Sequence, residues 1–190
     1  MVLSSENVRV AVTGAVSIAP TDAPAPTDAS SALPTPWVDL GYVHEDGVVE
    51  TRERETEQLR AWQNADVVRD SITEATLTFQ MVLIETKREV LELFYGAAIR
   101  DDGSLPITPS ATGGRRSVVI DVVDGTDYIR CYLPTAEVTE VGEQALANAE
   151  PVGYDITLTA YPGRWGYAAR KWYSTLTPAA TTATASSKKK

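Results

Sequence analysis

The residues with the means to do chemistry are few. There is one histidine, His44, and one cysteine, Cys131, so a Cys/His metal cluster has no ligands to draw on. His44 lies in the polar stretch HEDG and reads as a solvated surface residue rather than a proton shuttle. Cys131 falls on the apolar face of an alternating segment, where a small buried side chain is the expectation. No GxSxG, no phosphate-binding loop and no GxGxxG occurs. Asp101, Asp102, Asp121, Asp124 and Asp127 match no calcium-loop spacing, and aspartates in turns serve the backbone. No pair of carboxylates stands out for glycoside hydrolysis. The segment YPGRWGYAARKWY, residues 161–173, is the nearest approach to a nucleic-acid surface. Its other reading is a hairpin whose arginines stack on its own rings. The sequence therefore predicts no enzyme, no cofactor and no metal.

The densest chemistry is a charge alternation. In VVETRERETEQLRAW, residues 48–62, Arg52 and Arg54 interleave with Glu53, Glu55 and Glu57. As a strand this gives one acidic and one basic face; as a helix the charges scatter. Thr51, Thr56 and the missing apolar stripe favour a strand or an extended loop. Neither face suits a core, so the excursion is either solvated or in contact with another chain. Trp62 is expected to anchor its end, with Val67 and Val68 resuming the fold.

The elements around it follow from periodicity. TEATLTFQMVLIETKREVLELFYG, residues 73–96, reads as a strand running into a helix. Ala75, Leu77, Phe79, Met81 and Leu83 share one face, and Val90, Leu91, Phe94 and Tyr95 then follow helical spacing. Thr86 and Glu89 suggest a capping box, and Gly96 a left-handed stop. Val8, Val10, Val12, Val16 and Ile18 predict an N-terminal strand in which Gly14 marks a bulge or a close approach. Residues 20–36, PTDAPAPTDASSALPTP, predict an extended linker or surface loop, part of which docks because Leu33 and Trp37 resist exposure. Residues 37–43 restart order with a short strand, followed by a turn at Gly47. Residues 117–133 form a hairpin about Asp124–Gly125, with Ile129, Cys131 and Leu133 pointing opposite to Tyr128, Arg130 and Tyr132. Further strands are read at 136–141, 154–161 and 167–176, with a short extended piece at 105–107. These seven or eight strands and one short helix predict a mainly β fold: an antiparallel β-sandwich or open barrel flanked by the helix, with long loops and terminal arms.

The bulk properties agree. A chain of 190 residues with 43% apolar content suits a single domain, read as residues 1–178 with a polar tail at 179–190. No run nears the roughly 20 apolar residues of a membrane span, and MVLSSENVRVAV lacks the layout of a signal peptide. A lone cysteine permits no internal disulfide and fits a reducing compartment. The net charge is −9, but beyond residue 150 six basic residues face one acid, so the first 150 residues carry −14. Such a body repels nucleic acid. With exposed edges, a charged excursion and no catalytic set, the pattern points to a structural subunit.

The order of motifs resembles that of the tail tube (major tail) proteins of long-tailed, siphovirus-type bacteriophages, especially those of actinobacterial hosts. It runs through VRVAVTGAVSIAP, WVDLGYVHEDGVVE, RAWQNADVVRD, ATLTFQMVLIETKREVLELFYG, RRSVVIDVVDGTDYIRCYLP and YDITLTAYP, covering residues 8–178. The resemblance implies homo-hexameric rings stacked into a tube in the virion tail, assembled in the host cytoplasm, with inner strands joined into one barrel. It implies a tape-measure protein, a tail terminator and distal tail or baseplate proteins as partners, no membrane, and DNA that passes without specific binding. The family's inter-ring loop maps onto residues 45–70, with Arg52, Glu53, Arg54, Glu55, Glu57 and Trp62 as contacts. Residues 2–7 and 20–36 map onto its bridging arms, and Glu53, Glu55, Asp121 and Asp155 onto the lumen. A tail terminator or connector ring is one alternative. A carbohydrate-binding sandwich or glycosidase with Trp165, Trp172 and Tyr161 as a sugar platform is another.

Overall fold

The structure is a computed structural model and describes residues 3–4, 7–148 and 151–176. The 179–190 tail lies outside the described residues, as do Val2, Ser5 and Glu6 of the N-terminal arm. Eight strands and one helix follow in order: β1 (Thr13–Ala19), β2 (Val38–Asp39), β3 (Val43–Arg60), β4 (Val67–Leu83), α1 (Arg88–Tyr95), β5 (Arg116–Asp124), β6 (Asp127–Val141), β7 (Tyr154–Tyr161) and β8 (Arg170–Tyr173). All pairings are antiparallel. The strand order is β2-β1-β5-β6-β7-β4-β3, with β8 beside β6, and the sheet is not closed into a barrel.

Strand β6 divides the sheet. Its first half lies against β5 and β8, its second half against β7. At the corner, Pro134 and Thr135 stand opposite the single residue Ser117. Proline has no N–H for the ladder, and the bulge accommodates that loss. The fully buried Ser117 hydroxyl donates to the Pro134 carbonyl at 2.7 Å. The sequence reading stopped one strand at Leu133 and began another at Ala136; the bulge lets a single strand run through.

The two halves enclose one core. Val16, Val118, Ile120, Cys131 and Leu133 come from one half; Phe79, Met81, Leu83, Val138, Ile156 and Leu158 from the other. Helix α1 lies across β6 and β7 and adds Val90, Leu93 and Phe94, whose ring meets Tyr154 edge-on at 5.4 Å. Lys171 on β8 and Glu50 on β3 form an ion pair that ties the halves together. Cys131 lies directly across from Lys171; burial pushes its thiol pKa up to about 11, so it is poorly nucleophilic at neutral pH. At Gly14 a Cβ would sit 2.4 Å from the Asp121 carbonyl, the close approach that the sequence suggested.

Other local expectations are corrected. The first strand starts at Thr13 rather than Val8, because β5 turns at Asp124 and its ladder with β1 ends at Thr13. Residues 8–12 are held instead by side chains of that turn, Val10 N–H donating to Asp124 at 3.0 Å and Arg9 pairing with Asp127 at 3.0 Å. Gly47 sits in an irregularity inside β3, between the Val43 and Val48 pairings, rather than in a turn between strands. Helix α1 is preceded by Lys87 with no side-chain cap; the Thr86 hydroxyl is taken by the Tyr154 hydroxyl at 3.0 Å. Gly96 closes the helix at φ 65° as expected. The last strand is only Arg170–Tyr173 before a 3-10 turn, and residues 105–107 form no strand.

Leu133, fully buried between the halves, tests this core. Leu133→Ala is expected to lower unfolding free energy by about 3 kcal/mol, against a change within about 0.5 kcal/mol for the exposed Arg54→Ala, measured by denaturant titration.

Candidate assembly surfaces

Strand β4 has two neighbours only from Thr78 to Leu83, where β7 pairs with it. Before Thr78 its sole partner is β3, through a register running from Arg52↔Leu77 to Arg60↔Val67. Nine residues of β3 at ~3.3 Å each make a two-stranded arm about 30 Å long. At its tip Asp66 N–H donates to Gln63 O and Ala61 N–H to Asp66 O. Asn64 and Ala65 both take positive φ, 55° and 56°, the two left-handed residues of a I′ hairpin turn. For Ala65 this conformation costs on the order of 1 kcal/mol.

The charge alternation is thus a strand, and the arm is exposed from residue 51 to residue 75 except for the partly covered Ala61. Trp62 is 96% exposed and does not anchor the excursion within the subunit. Leu59, Val67, Val68 and Ile72 are exposed with it. The predicted buried face of β4 is buried only at Phe79, Met81 and Leu83; Ala75 and Leu77 lie where no third strand covers them.

Register sorts the charges. Arg52 and Arg54 stand opposite Leu77 and Ala75, on the same side of the sheet as Phe79 and Met81. Glu53 and Glu55 stand opposite Thr76 and Glu74, on the other side. Glu57 follows Glu55 at period two. That side continues across the sheet through Thr78, Gln80, Thr157, Thr159, Asp155 and Glu137. Gln80 donates to the Asp155 carboxylate at 3.2 Å, and the Thr139 and Thr159 hydroxyls share a bond of 2.8 Å. Three of the four residues assigned to the lumen, Glu53, Glu55 and Asp155, therefore share one acidic, threonine-rich face of β6, β7, β4 and β3. Arg115 meets it at the rim, 3.6 Å from Glu137. Glu55 directly opposite Glu74 places like charges across the ladder, which weakens the arm by a few tenths of a kcal/mol.

Asp121 is placed elsewhere. It receives both Nε and Nη2 of Arg130, at 2.7 and 2.9 Å, under residues 20–36. Arg130 is 5% exposed, and its remaining donor reaches the carbonyls of Ser31 (2.8 Å) and Asp28 (3.2 Å). The Pro-rich segment is thereby held to its own sheet, with Ala23, Pro26 and Ala29 buried. Trp37 donates from Nε1 to Pro24 O at 2.9 Å and meets Tyr132 edge-on. Asp28 organises the bend by accepting from the Ser31 hydroxyl and from the Ser31 and Ser30 amides. These bonds, the Ser31 hydroxyl foremost, hold its carboxyl well below the usual carboxylate range.

The aromatic segment packs rather than presents a platform. Trp165 has the Arg164 guanidinium over it at 4.1 Å and Tyr167 stacked on it at 5.9 Å. Arg170 lies 4.8 Å over Trp172, and Tyr132, 1% exposed, touches both tryptophans. Rings covered in this way offer no flat face for a sugar. His44 is half exposed and holds Asp46 at 2.8 Å. Among the described residues no group of three or more His, Cys, Asp or Glu side chains is arranged to hold a metal, and no helix is long and apolar enough to cross a membrane.

These surfaces define a β-rich subunit whose sheet ends in open edges and a bare arm. The chain matches the family model described as phage tail tube protein over residues 1–185 and belongs to that family, which is a family of structural virion proteins. Its shape is similar to a chain in the tube-terminating cap of the anti-feeding prophage (10% identity, TM-score 0.48, covering 90% of this chain and 95% of that one). It is also similar to a chain in the baseplate of the same particle (12% identity, TM-score 0.47, covering 87% and 95%), and to one in a gene transfer agent virion (8% identity, TM-score 0.38, covering 75% and 92%). No curated protein sequence matches the chain. Of the contact residues expected from the sequence, all six fall on the arm. The Arg130–Asp121 clamp was missed because its members are 9 residues apart in sequence and their acceptors about a hundred away.

Two outcomes test the clamp. Arg130→Met leaves Asp121 without its partner and is expected to lower stability by about 3 kcal/mol, with residues 20–36 becoming cleavable in limited proteolysis. Because the Asp28 carboxyl is depressed when folded, its contribution is fully present above the ordinary carboxylate value near pH ~4 and is lost as pH falls below it. Trp37 fluorescence should follow that loss in the native protein and should be flat over the same window in Asp28→Asn.

Proposed function

We propose that six copies of this chain close into a ring and that rings stack into the tube through which a phage genome leaves the capsid. The observation that carries this reading is the unfinished sheet: among the described residues β3 has no strand on its outer edge, and β1 is bonded on its outer edge only near Val16–Ile18, by β2 and by Leu40 N–H to Val16 O. Joining the β3 edge of one copy to the β1 edge of the next removes both edges around a ring. The acidic face of β6, β7, β4 and β3 turns inward, with Glu53, Glu55 and Asp155 on the wall. DNA phosphates are repelled from it and pass without adhering. The tape-measure protein occupies the bore during assembly in the host cytoplasm, and terminator and distal tail proteins close the two ends. Asp121, neutralised by Arg130, has no part in the wall.

The arm makes the contact between rings, with Arg52 and Arg54 meeting acidic residues of the neighbouring ring. Purified protein is expected to form long hollow rods in electron micrographs. The double variant Arg52→Glu/Arg54→Glu should stop at rings while keeping the wild-type unfolding midpoint; rods of normal length from it would refute the contact, and wild-type protein that forms single rings alone would indicate a terminator instead. Rods carrying Glu53→Lys, Glu55→Lys and Asp155→Lys should retain DNA at low salt and release it as salt rises, whereas wild-type rods should retain none.

A further inference from the structure

Two groups of exposed apolar side chains lie at opposite ends of the strand axis of β4, β6 and β7. One group is the arm: Leu59, Trp62, Val67, Val68 and Ile72. The arm leaves the sheet beyond the Thr135↔Tyr161 end of the β6–β7 pair. Ile107, Val141 and Leu146 are exposed as well; Val141 ends β6, and Ile107 and Leu146 belong to the segments that follow α1 and β6. Val141 pairs near the Leu83↔Tyr154 end of the sheet, the end away from the arm. Here a groove of about 540 Å³ opens between the C-terminus of α1, residues 107–112 and the end of β6. Phe94, Tyr95, Ile107, Pro109, Val138 and Val141 line it. The Tyr95 hydroxyl donates to Gln144 Oε1 at 3.2 Å, and Phe94 and Tyr95 meet edge-on at 4.9 Å, so one wall is aromatic and fixed.

We infer that this groove is the socket for Trp62 from a second copy of the same chain. The inference rests on the tube reading above and names the residues that join one ring to the next. An indole has the bulk and the apolar faces that an aromatic-walled groove accepts. Glu140 and Gln144 also line the groove and supply acceptors for its N–H. Charge is mixed along the arm, where Glu53, Glu55, Glu57, Asp66, Asp70 and Glu74 accompany Arg52, Arg54, Arg60 and Arg69, but Arg60 and Arg69 lie beside its tip. Asp46, Glu140 and Glu143 stand at the groove's end of the subunit as acidic partners for them. The two patches are different surfaces at opposite ends, so the contact is heterologous. Such a contact repeats along an axis without closing and builds an open stack. The exposed apolar tip next to the left-handed Ala65 is then an anchor awaiting its partner, of the aromatic kind that dominates interfaces.

Three measurements on the full chain test this. Trp62→Ala, which removes an exposed side chain and should leave the unfolding midpoint unchanged, is expected to yield rings with rod length reduced at least tenfold. Ile107→Asp, which alters the socket, should do the same. Rods built from Trp62→Cys/Ile107→Cys should form disulfide-linked ladders of many subunits on mild oxidation, and each single variant should not; buried Cys131 gives no background. If wild-type rods form, Trp62→Ala rods are of normal length and the double variant gives no ladder, the socket is wrong and the tube reading stands. If wild-type protein never forms rods, the tube reading falls and the socket with it.

Discussion

Backbone hydrogen bonding sets the terms of this structure. A strand within a sheet satisfies its N–H and C=O groups on both sides, and an edge strand on one side only. Strand β4 reaches β7 over six residues and then continues for eleven more with β3 alone. Before Thr78 β7 no longer pairs with it, so the alternation that buries Phe79, Met81 and Leu83 leaves Leu77 only partly covered, at the margin of the core, and Ala75 exposed. The arm's exposure is a direct outcome of strand lengths: β3 and β4 are 18 and 17 residues, β7 only 8. A lone two-stranded ribbon is marginal in water, and Glu55 across from Glu74 weakens it further. The ribbon lacks the burial that would make it self-sufficient.

The rest of the molecule shows how a subunit can hide one face and leave another bare. The outer face of β5 and the first half of β6 is covered by residues 20–36, a segment rich in proline. Proline cannot extend a ladder, so the cover adds no new edge. Arg130 makes the cover specific: its guanidinium meets a carboxylate on one side and two loop carbonyls on the other. Across the β6 corner the outer face of β7, β4 and β3 has no such cover and carries threonines, glutamates and Asp155. Both faces of the first half are occupied within the subunit, whereas the second half keeps an acidic surface open. This asymmetry suits a wall on one side and packing on the other.

Much of the fold was legible in the residues. Alternation located β1, β5, β6, β7 and the buried stretch of β4, and Asp124–Gly125 located the hairpin turn. The change of period after Leu83 located α1, and Gly96 its end. The misses have physical causes. Period-two patterning cannot reveal how many neighbours a strand has, so Ala75 looked like core although it is exposed, while Leu77 sits at the core's margin. Trp62 looked like an anchor because large aromatics are usually covered, and here no element among the described residues covers it. Pro134 looked like a break because the bulge that tolerates it is set by the register with β5, which the sequence of β6 alone does not show. Three of the four residues expected at the lumen, Glu53, Glu55 and Asp155, came to one face because strand parity is fixed once register is; Asp121 did not, because parity is silent about what covers a face.

The most direct test follows amide hydrogen exchange in the isolated subunit and in the assembled tail. The account predicts that residues 51–76 exchange fast in the free chain and become protected on assembly, by tenfold or more, while the core strands β5–β7 change little. Equal exchange of the arm in both states, with protection appearing elsewhere, would contradict it.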